Sequence, residues 1–245
     1  MIDRNLVHSN EIQSGSRYAS KFDYIMHNFC IQKFKSRIQN KSIIELGCYH
    51  GENTKNLAAQ CSRVLAVDND SECIKRTKKN CKNLKNVSTI MSSFEEFDGY
   101  SNYQVIYFSH ALEHVRDDKG LLNSIYTKMS KNQELIVIVP NAMSLSRQIA
   151  VEMGIVQSTN SVTEFEKKIG HYRTYDNSML QKIFTDIGFK ILEDGGIMPK
   201  IFSNNQFDKA ISEGIIDLNY IEALNKLSGK YKDICSSIYI IAKKD

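Results

Sequence analysis

The densest chemistry in the chain is His110-Ala111-Leu112-Glu113-His114, which follows directly on the apolar run Tyr103 to Ser109. A helical turn starting at His110 would place positions i, i+3 and i+4 on one face. Two imidazoles and a carboxylate would then stand together at the end of a strand. Such a set is a usual ligand group for a divalent ion with open coordination positions, and a histidine of near-neutral pKa also serves as a general base. A second constellation runs from Ser42 to Gly51, where Ile43-Ile44 leads into Glu45, then Gly47 and Gly51, with Glu52-Asn53-Thr54 opening a helix. A buried strand, a tight glycine turn and a helix N-terminus form a cradle for a nucleotide-like ligand. A later apolar run, Val64 to Val67, ends in Asp68. An acid at the tip of the second strand of a βαβ unit is placed to accept hydrogen bonds from ribose hydroxyls.

These groups need a scaffold, and the hydropathy pattern supplies one. Short apolar runs predict strands at 42–47, 64–68, 87–91, 103–109, 134–140, 189–194 and 236–243, and helical patterns lie over 53–62, 70–83, 117–130 and 176–187. That alternation implies an α/β fold with a parallel sheet covered on both faces. Phe22, Ile25, Met26, Phe29, Cys30, Phe34 and Ile38 recur at helical spacing, so an amphipathic helix over 18–38 precedes the first strand. Pro140 ends the fifth strand at the rim where ligands bind. Residues 1–245 are expected to form a single domain. Two segments, 142–171 and 200–233, lie outside the minimal alternation, and the second carries a helical pattern over 215–227. Loops on the carboxyl side of such a sheet carry specificity, so both segments are expected to shape the acceptor pocket; surface decoration or a homodimer contact is the alternative.

Composition narrows the class. With 42% hydrophobic and 24% charged residues, the chain reads as a soluble globular protein. The net charge of +4 is spread along the sequence. Lysine-rich pieces such as Lys75-Arg76-Thr77-Lys78-Lys79 read as a solvated helix face rather than a nucleic-acid arm. The six cysteines include no Cys-x-x-Cys pair, which favours free thiols in a reducing compartment. No run resembles a signal peptide or spans a bilayer, so a cytoplasmic location is expected, with no membrane partner.

Around Glu45, Gly47, Gly51 and Asp68 the chain resembles the class I S-adenosylmethionine-dependent methyltransferases, whose first motif is a strand ending in acid-x-Gly-x-Gly-x-Gly and whose second strand ends in an acid. Tyr49 stands where the middle glycine usually is. The dinucleotide pattern Gly-x-Gly-x-x-Gly is missing, so a dinucleotide fits less well. The resemblance implies a Rossmann-like, doubly wound, mostly parallel seven-stranded sheet with an antiparallel last strand. It also implies S-adenosyl-L-methionine as cofactor. In that arrangement the backbone at Gly47 and Cys48 holds the methionine part, Glu45 lies in the pocket floor, Gly51 closes the turn, Asp68 takes the ribose hydroxyls and Asn69 lies along the adenine edge. After the third strand the family often carries an acid; Ser93 and the amide of Phe94 stand there instead. His110 would come close to the reactive methyl.

Leu112-Glu113-His114 also resembles a common tag of small-molecule methyltransferases. Glu-x-x-Glu-His at this place resembles the metal-binding motif of the ubiquinone-pathway O-methyltransferases and of the small-RNA 3′-terminal 2′-O-methyltransferases, with His110 replacing the first acid. By the same resemblance a later histidine, His171, is the candidate fourth ligand beside His110, Glu113 and His114. The histidines favour a softer ion than magnesium. His110, His114 and His171 are equally the candidates for catalytic base, because an alcohol needs either a metal or a base to become nucleophilic. Tyr172 and Arg173 follow His171 as candidate acceptor contacts, and a guanidinium suits phosphate. No Asn-Pro-Pro-Tyr ends the fourth strand, against planar nitrogen acceptors, and no basic stripe points to long nucleic acid. The expected reaction is O-methylation of a small molecule, a sugar or a phosphorylated or nucleotide-activated sugar, as in carbohydrate biosynthesis. The alternatives are 2′-O-methylation of small-RNA 3′ ends and N-methylation of a small amine.

Overall fold

The structure is a computed structural model and describes residues 21–244; positions 18–20 of the first expected helix lie outside them. The described chain runs α1 (Lys21–Lys33), α2 (Lys35–Ile38), β1 (Ser42–Leu46), α3 (Glu52–Ala58), β2 (Arg63–Asp68), α4 (Ser71–Asn80), β3 (Val87–Met91), β4 (Val105–Ser109), α5 (Asp118–Lys128) and β5 (Glu134–Pro140). It continues through α6 (Leu145–Glu152), α7 (Glu164–Lys168), α8 (Asn177–Ile187), β6 (Lys190–Ile197), α9 (Asn204–Ser212), α10 (Leu218–Lys226) and β7 (Ser237–Lys243). The seven strands form one sheet in the order β3-β2-β1-β4-β5-β7-β6. β1 to β5 are parallel, and β7 runs antiparallel between β5 and β6. This is the Rossmann-like, doubly wound sheet with a reversed last strand.

Alternation along each strand feeds two cores. On one face Ile44, Leu46, Val67, Ile106, Phe108 and Val137 pack with Leu121, Leu122 and Ile125 of α5 and Leu180 and Phe184 of α8. On the other, Ile43, Val64, Val105, Tyr107, Ile136 and Ile138 meet Phe22 and Phe29 of α1, Leu57 of α3, Phe207 of α9 and Ile221 of α10. Each fully buried large apolar side chain contributes about 1.5–3 kcal/mol, and a one-residue slip would turn every one of them to the wrong face. The register is therefore firm: Leu46 lies beside Val67 and Phe108.

Four features depart from the expected elements, the first being that the 142–171 segment holds α6 and α7. The first helix breaks at Phe34, whose ring is wholly buried. β6 continues past 194 to Ile197 by pairing with β7 through Gly195-Gly196, and the segment after α10 comes so close there that a Cβ at Gly196 would collide with the Lys232 carbonyl oxygen. The 200–233 segment holds two helices, the unforeseen α9 and then α10 inside the 215–227 pattern. α9 docks on α1: the Phe22 and Phe207 rings stack at 4.4 Å, and the Phe22 N–H donates to Asp208 Oδ1 at 2.8 Å.

β1 and β4 are neighbours while their crossovers leave in opposite directions, so a crevice opens at their carboxyl ends. Glu45, Asp68 and His110 all come from strand tips at this rim. Among the described residues, no helix is long and apolar enough to cross a membrane.

Candidate active site

A cavity of about 420 Å³ occupies the crevice. Gly47, Cys48, Asp68, Asn69, Phe94 and His110 all line it. Gly47 adopts φ +81°, and a Cβ there would lie 2.7 Å from Ala111 Cβ, so the turn and the loop after β4 touch where only a glycine fits. Tyr49, in the place of the middle glycine, also takes a positive φ of 46°. Its N–H donates to Asp68 Oδ2 at 3.1 Å, and the Asp70 N–H donates to Asp68 Oδ1 at 3.0 Å. The Asp68 carboxylate is thus fixed at the rim by backbone donors on either side. Gly51 lies behind the wall, where its φ of +81° starts α3 against Thr77. Glu45 lies beneath the floor, and the Thr54 hydroxyl donates to its Oε2 at 2.5 Å. Burial pushes the Glu45 carboxyl up to about 8, against the pull of the Thr54 and Asn53 hydrogen bonds.

Past β4 the geometry differs from the expected helical turn. The His110 N–H still donates to Ile138 O of β5 at 2.8 Å, and the residue then turns at φ +51°. Only Leu112–His114 coil, in a single 3-10 turn. His110 therefore lies outside the 3-10 turn that carries Glu113 and His114, although its ring stays beside Glu113. Its Nε2 lies 3.4 Å from Ser237 Oγ and its Nδ1 3.8 Å from Glu113 Oε1. Burial first, then the charges of His27, His171 and Lys200, bring the His110 pKa down to about 3.

The cluster that does form is Glu113, His114 and His171, with one ligand atom from each within 4.8 Å of the others. The His114 and His171 rings meet edge-on at 4.6 Å. His171 arrives through the 142–171 segment. Arg147 pairs with Glu166 at 2.7 Å, the Glu166 carbonyl accepts from the His171 N–H at 2.8 Å, and the Tyr172 N–H donates to Glu113 O at 2.9 Å. Glu113 is 1% exposed, its Oε2 has no hydrogen-bond partner among the described residues, and burial raises its carboxyl to about 8. A buried carboxyl group grouped with two imidazoles fits a divalent cation; of the three, His114 lines the cavity, and Glu113 and His171 stand behind its wall.

The remaining candidates divide. Tyr172 lines the cavity; Arg173 does not. The Arg173 guanidinium donates to Val115 O and Arg116 O at 2.6 Å each and lies 3.4 Å from Asp118 Oδ1, so it clamps the loop after His114. Ser93 is likewise off the wall, its hydroxyl accepting from the Glu96 N–H at 3.2 Å, while Phe94 and Glu95 face the cavity. The first insertion lends Ile169 and Gly170 to the wall, and the second lends none. Sequence reasoning missed Tyr24, His27, Asn53 and Arg116, which also line it. The signal for the first two was their place on the polar shoulder of an otherwise apolar helix stripe.

Residues 22–194 match a family profile described as a methyltransferase domain. The chain belongs to this methyltransferase family. No curated protein sequence matches it. Among solved structures, the N-methyltransferase NodS from Bradyrhizobium japonicum WM9 is similar at 12% identity over 93% of this chain and 98% of that one, with a TM-score of 0.57. The magnesium protoporphyrin IX methyltransferase ChlM from Synechocystis PCC 6803, with S-adenosylhomocysteine bound, is similar at 11% identity over 91% and 84%, with a TM-score of 0.60. The cyclase SpnF is similar at 13% identity over 91% and 81%, with a TM-score of 0.62. The methyltransferase takes S-adenosylmethionine as its cofactor. Identities this low speak to the fold alone, and one fold can host different chemistries.

Proposed function

We propose that this methyltransferase methylates a hydroxyl of a small polyhydroxylated molecule, a sugar or nucleotide-activated sugar, held beside a cation site made by Glu113, His114 and His171. The observation that carries this reading is buried Glu113, one of whose oxygens has no hydrogen-bond partner among the described residues, grouped with His114 and His171, with His114 itself lining the cavity. A vicinal diol offers two oxygens to such a site. When bound, a divalent cation would acidify a coordinated hydroxyl, and two imidazoles beside one carboxylate suit zinc, manganese or iron better than magnesium.

The other roles follow from the wall. The backbone at Gly47 and Cys48 receives the methionine part, Asp68 the ribose hydroxyls, and Asn69 and Phe94 the adenine. Tyr172 borders the acceptor. Arg116, exposed and in the cavity wall, takes the part of anion contact that Arg173 cannot, its guanidinium being engaged elsewhere. A phosphate or carboxylate on the acceptor would meet it.

Incubation with methyl-labelled cofactor tests the reading. The panel contains nucleotide sugars, small amines and an RNA with a 3′-terminal diol, each with and without chelator. Label on a sugar hydroxyl, lost on chelation and restored by zinc or manganese, supports it. Label on amines alone, or transfer indifferent to chelation, overturns it. Transfer to RNA that weakens steeply with added salt replaces it with the small-RNA alternative.

A further inference from the structure

We infer that His27 is a catalytic residue, the group that takes the acceptor's proton, and that Asp23 positions it. The hydroxyl as the source of that proton rests on the reading above; the base itself does not depend on the cation site. α1 buries Phe22, Met26, Phe29 and Cys30 against the sheet and turns Tyr24 and His27 to the cavity. Asp23 and His27 stand four residues apart on this helix, one turn above the other.

Behind Asp23 lies an arrangement that neither the cofactor nor the cation cluster needs. Lys200 is 7% exposed and donates to Asn204 Oδ1, with its ammonium 5.2 Å from the centre of the Phe22 ring. The Asn204 amide in turn donates to Asp23 Oδ1. A buried lysine is costly without a countercharge, and Asp23 is the acid that raises its pKa against burial. Asn204 of α9 thereby ties down the Asp23 carboxylate one helical turn from His27.

The charged groups that act on His27 are Asp23 on its own helix, Glu52 at the start of α3 and His110 after β4. Burial lowers the His27 pKa, while Asp23 and Glu52 oppose that. At neutral pH the ring is therefore an unprotonated acceptor whose protonated form two carboxylates stabilise. The His110 ring nitrogens lie beside Ser237 Oγ and Glu113 Oε1, and burial lowers its pKa as well, while His114 and His171 are grouped with Glu113. In the step, the acceptor's O–H proton passes to a ring nitrogen of His27 and an oxygen lone pair bonds the methyl carbon. The carbon–sulfur bonding pair returns to sulfur, so a neutral thioether leaves as His27 gains the positive charge.

Two measurements test this. With whichever panel compound accepts methyl, His27→Gln lowers kcat by at least about 100-fold, while calorimetry with S-adenosylhomocysteine gives the wild-type Kd. Added imidazole restores turnover to His27→Ala, and Asp23→Asn lowers kcat by a smaller factor. Independently of any acceptor, NMR titration of histidine Cε1 protons in the S-adenosylhomocysteine complex shows the His27 midpoint falling in Asp23→Asn. Wild-type kcat in His27→Gln, failed imidazole rescue, or a His27 midpoint indifferent to Asp23→Asn overturns the assignment. Should only amines accept methyl, with the same loss in His27→Gln, the hydroxyl reading fails and the base stands. Should the whole panel stay silent, the titration alone decides.

Discussion

Gly47→Ala is the sharpest perturbation the cradle offers. The new Cβ would lie 2.7 Å from Ala111 Cβ and 3.8 Å from Phe94 Cζ, on a backbone at φ +81°. Left-handed backbone costs a residue with a Cβ about 1–2 kcal/mol, and a methyl forced into a packed contact costs a further ~1–3 kcal/mol. The sum is about 2–5 kcal/mol, or on the order of 10 °C in Tm for a chain of this size. The two parts separate in a double-mutant cycle. Ala111→Gly removes the contact and leaves φ untouched, so the pair should regain the packing part only, a coupling of about 1–3 kcal/mol. Thermal unfolding reads the stability, and calorimetry with S-adenosylhomocysteine reads the cradle, whose affinity should fall in Gly47→Ala. A Gly47→Ala protein that melts with the wild type and binds equally well would refute the close approach of the two loops.

Glu45 gives a pH dependence of stability. Its folded pKa of about 8 lies above the ordinary 4.5, so between those values the folded protein holds one proton more than the unfolded chain. Stability therefore falls as pH rises through that window, by at most about 1.4 kcal/mol per unit. Glu45→Gln should make the profile shallower in urea unfolding, with the remaining slope in that window coming from Glu113, which burial raises likewise; parallel profiles contradict it. Arg173→Ala should lower stability by about 1.5–3 kcal/mol, the usual worth of hydrogen bonds to a charged group, in chemical denaturation. Unchanged stability with a raised acceptor KM would return Arg173 to the acceptor site. Glu113→Gln should abolish zinc-induced stabilisation in a thermal shift assay, and a zinc response equal to wild type places the ion elsewhere.

The strands were legible because Ile43-Ile44, Val64 to Val67 and Ile136 to Val139 are apolar runs that only a doubly covered sheet can bury. The strand tips followed, and with them Gly47, Asp68 and His110 at one rim. What stayed hidden depends on backbone dihedrals and long-range contacts. Nothing in a histidine announces φ +51°, so a helical turn is the natural expectation at His110; its imidazole keeps Glu113 as a neighbour at 3.8 Å but also turns toward Ser237. Arg173 looked available because sequence does not show which carbonyls it will meet. Gly195-Gly196 looked like a strand end, yet the same lack of side chain lets Lys232 and Cys235 pack against a strand that continues. The sequence marks His27 only by its place on the polar shoulder of an apolar helix, a weak signal; it is the fold that turns it toward the cavity.

Titration calorimetry of S-adenosylhomocysteine into the wild-type protein and Asp68→Ala tests the cradle most directly. Because two backbone N–H groups hold the carboxylate of Asp68 at the cavity wall, the wild type should bind one equivalent. The variant should bind at least about tenfold more weakly, the worth of a charged hydrogen bond. No heat from the wild type, or equal affinity in Asp68→Ala, would contradict the placement of the adenosyl group between β1 and β2.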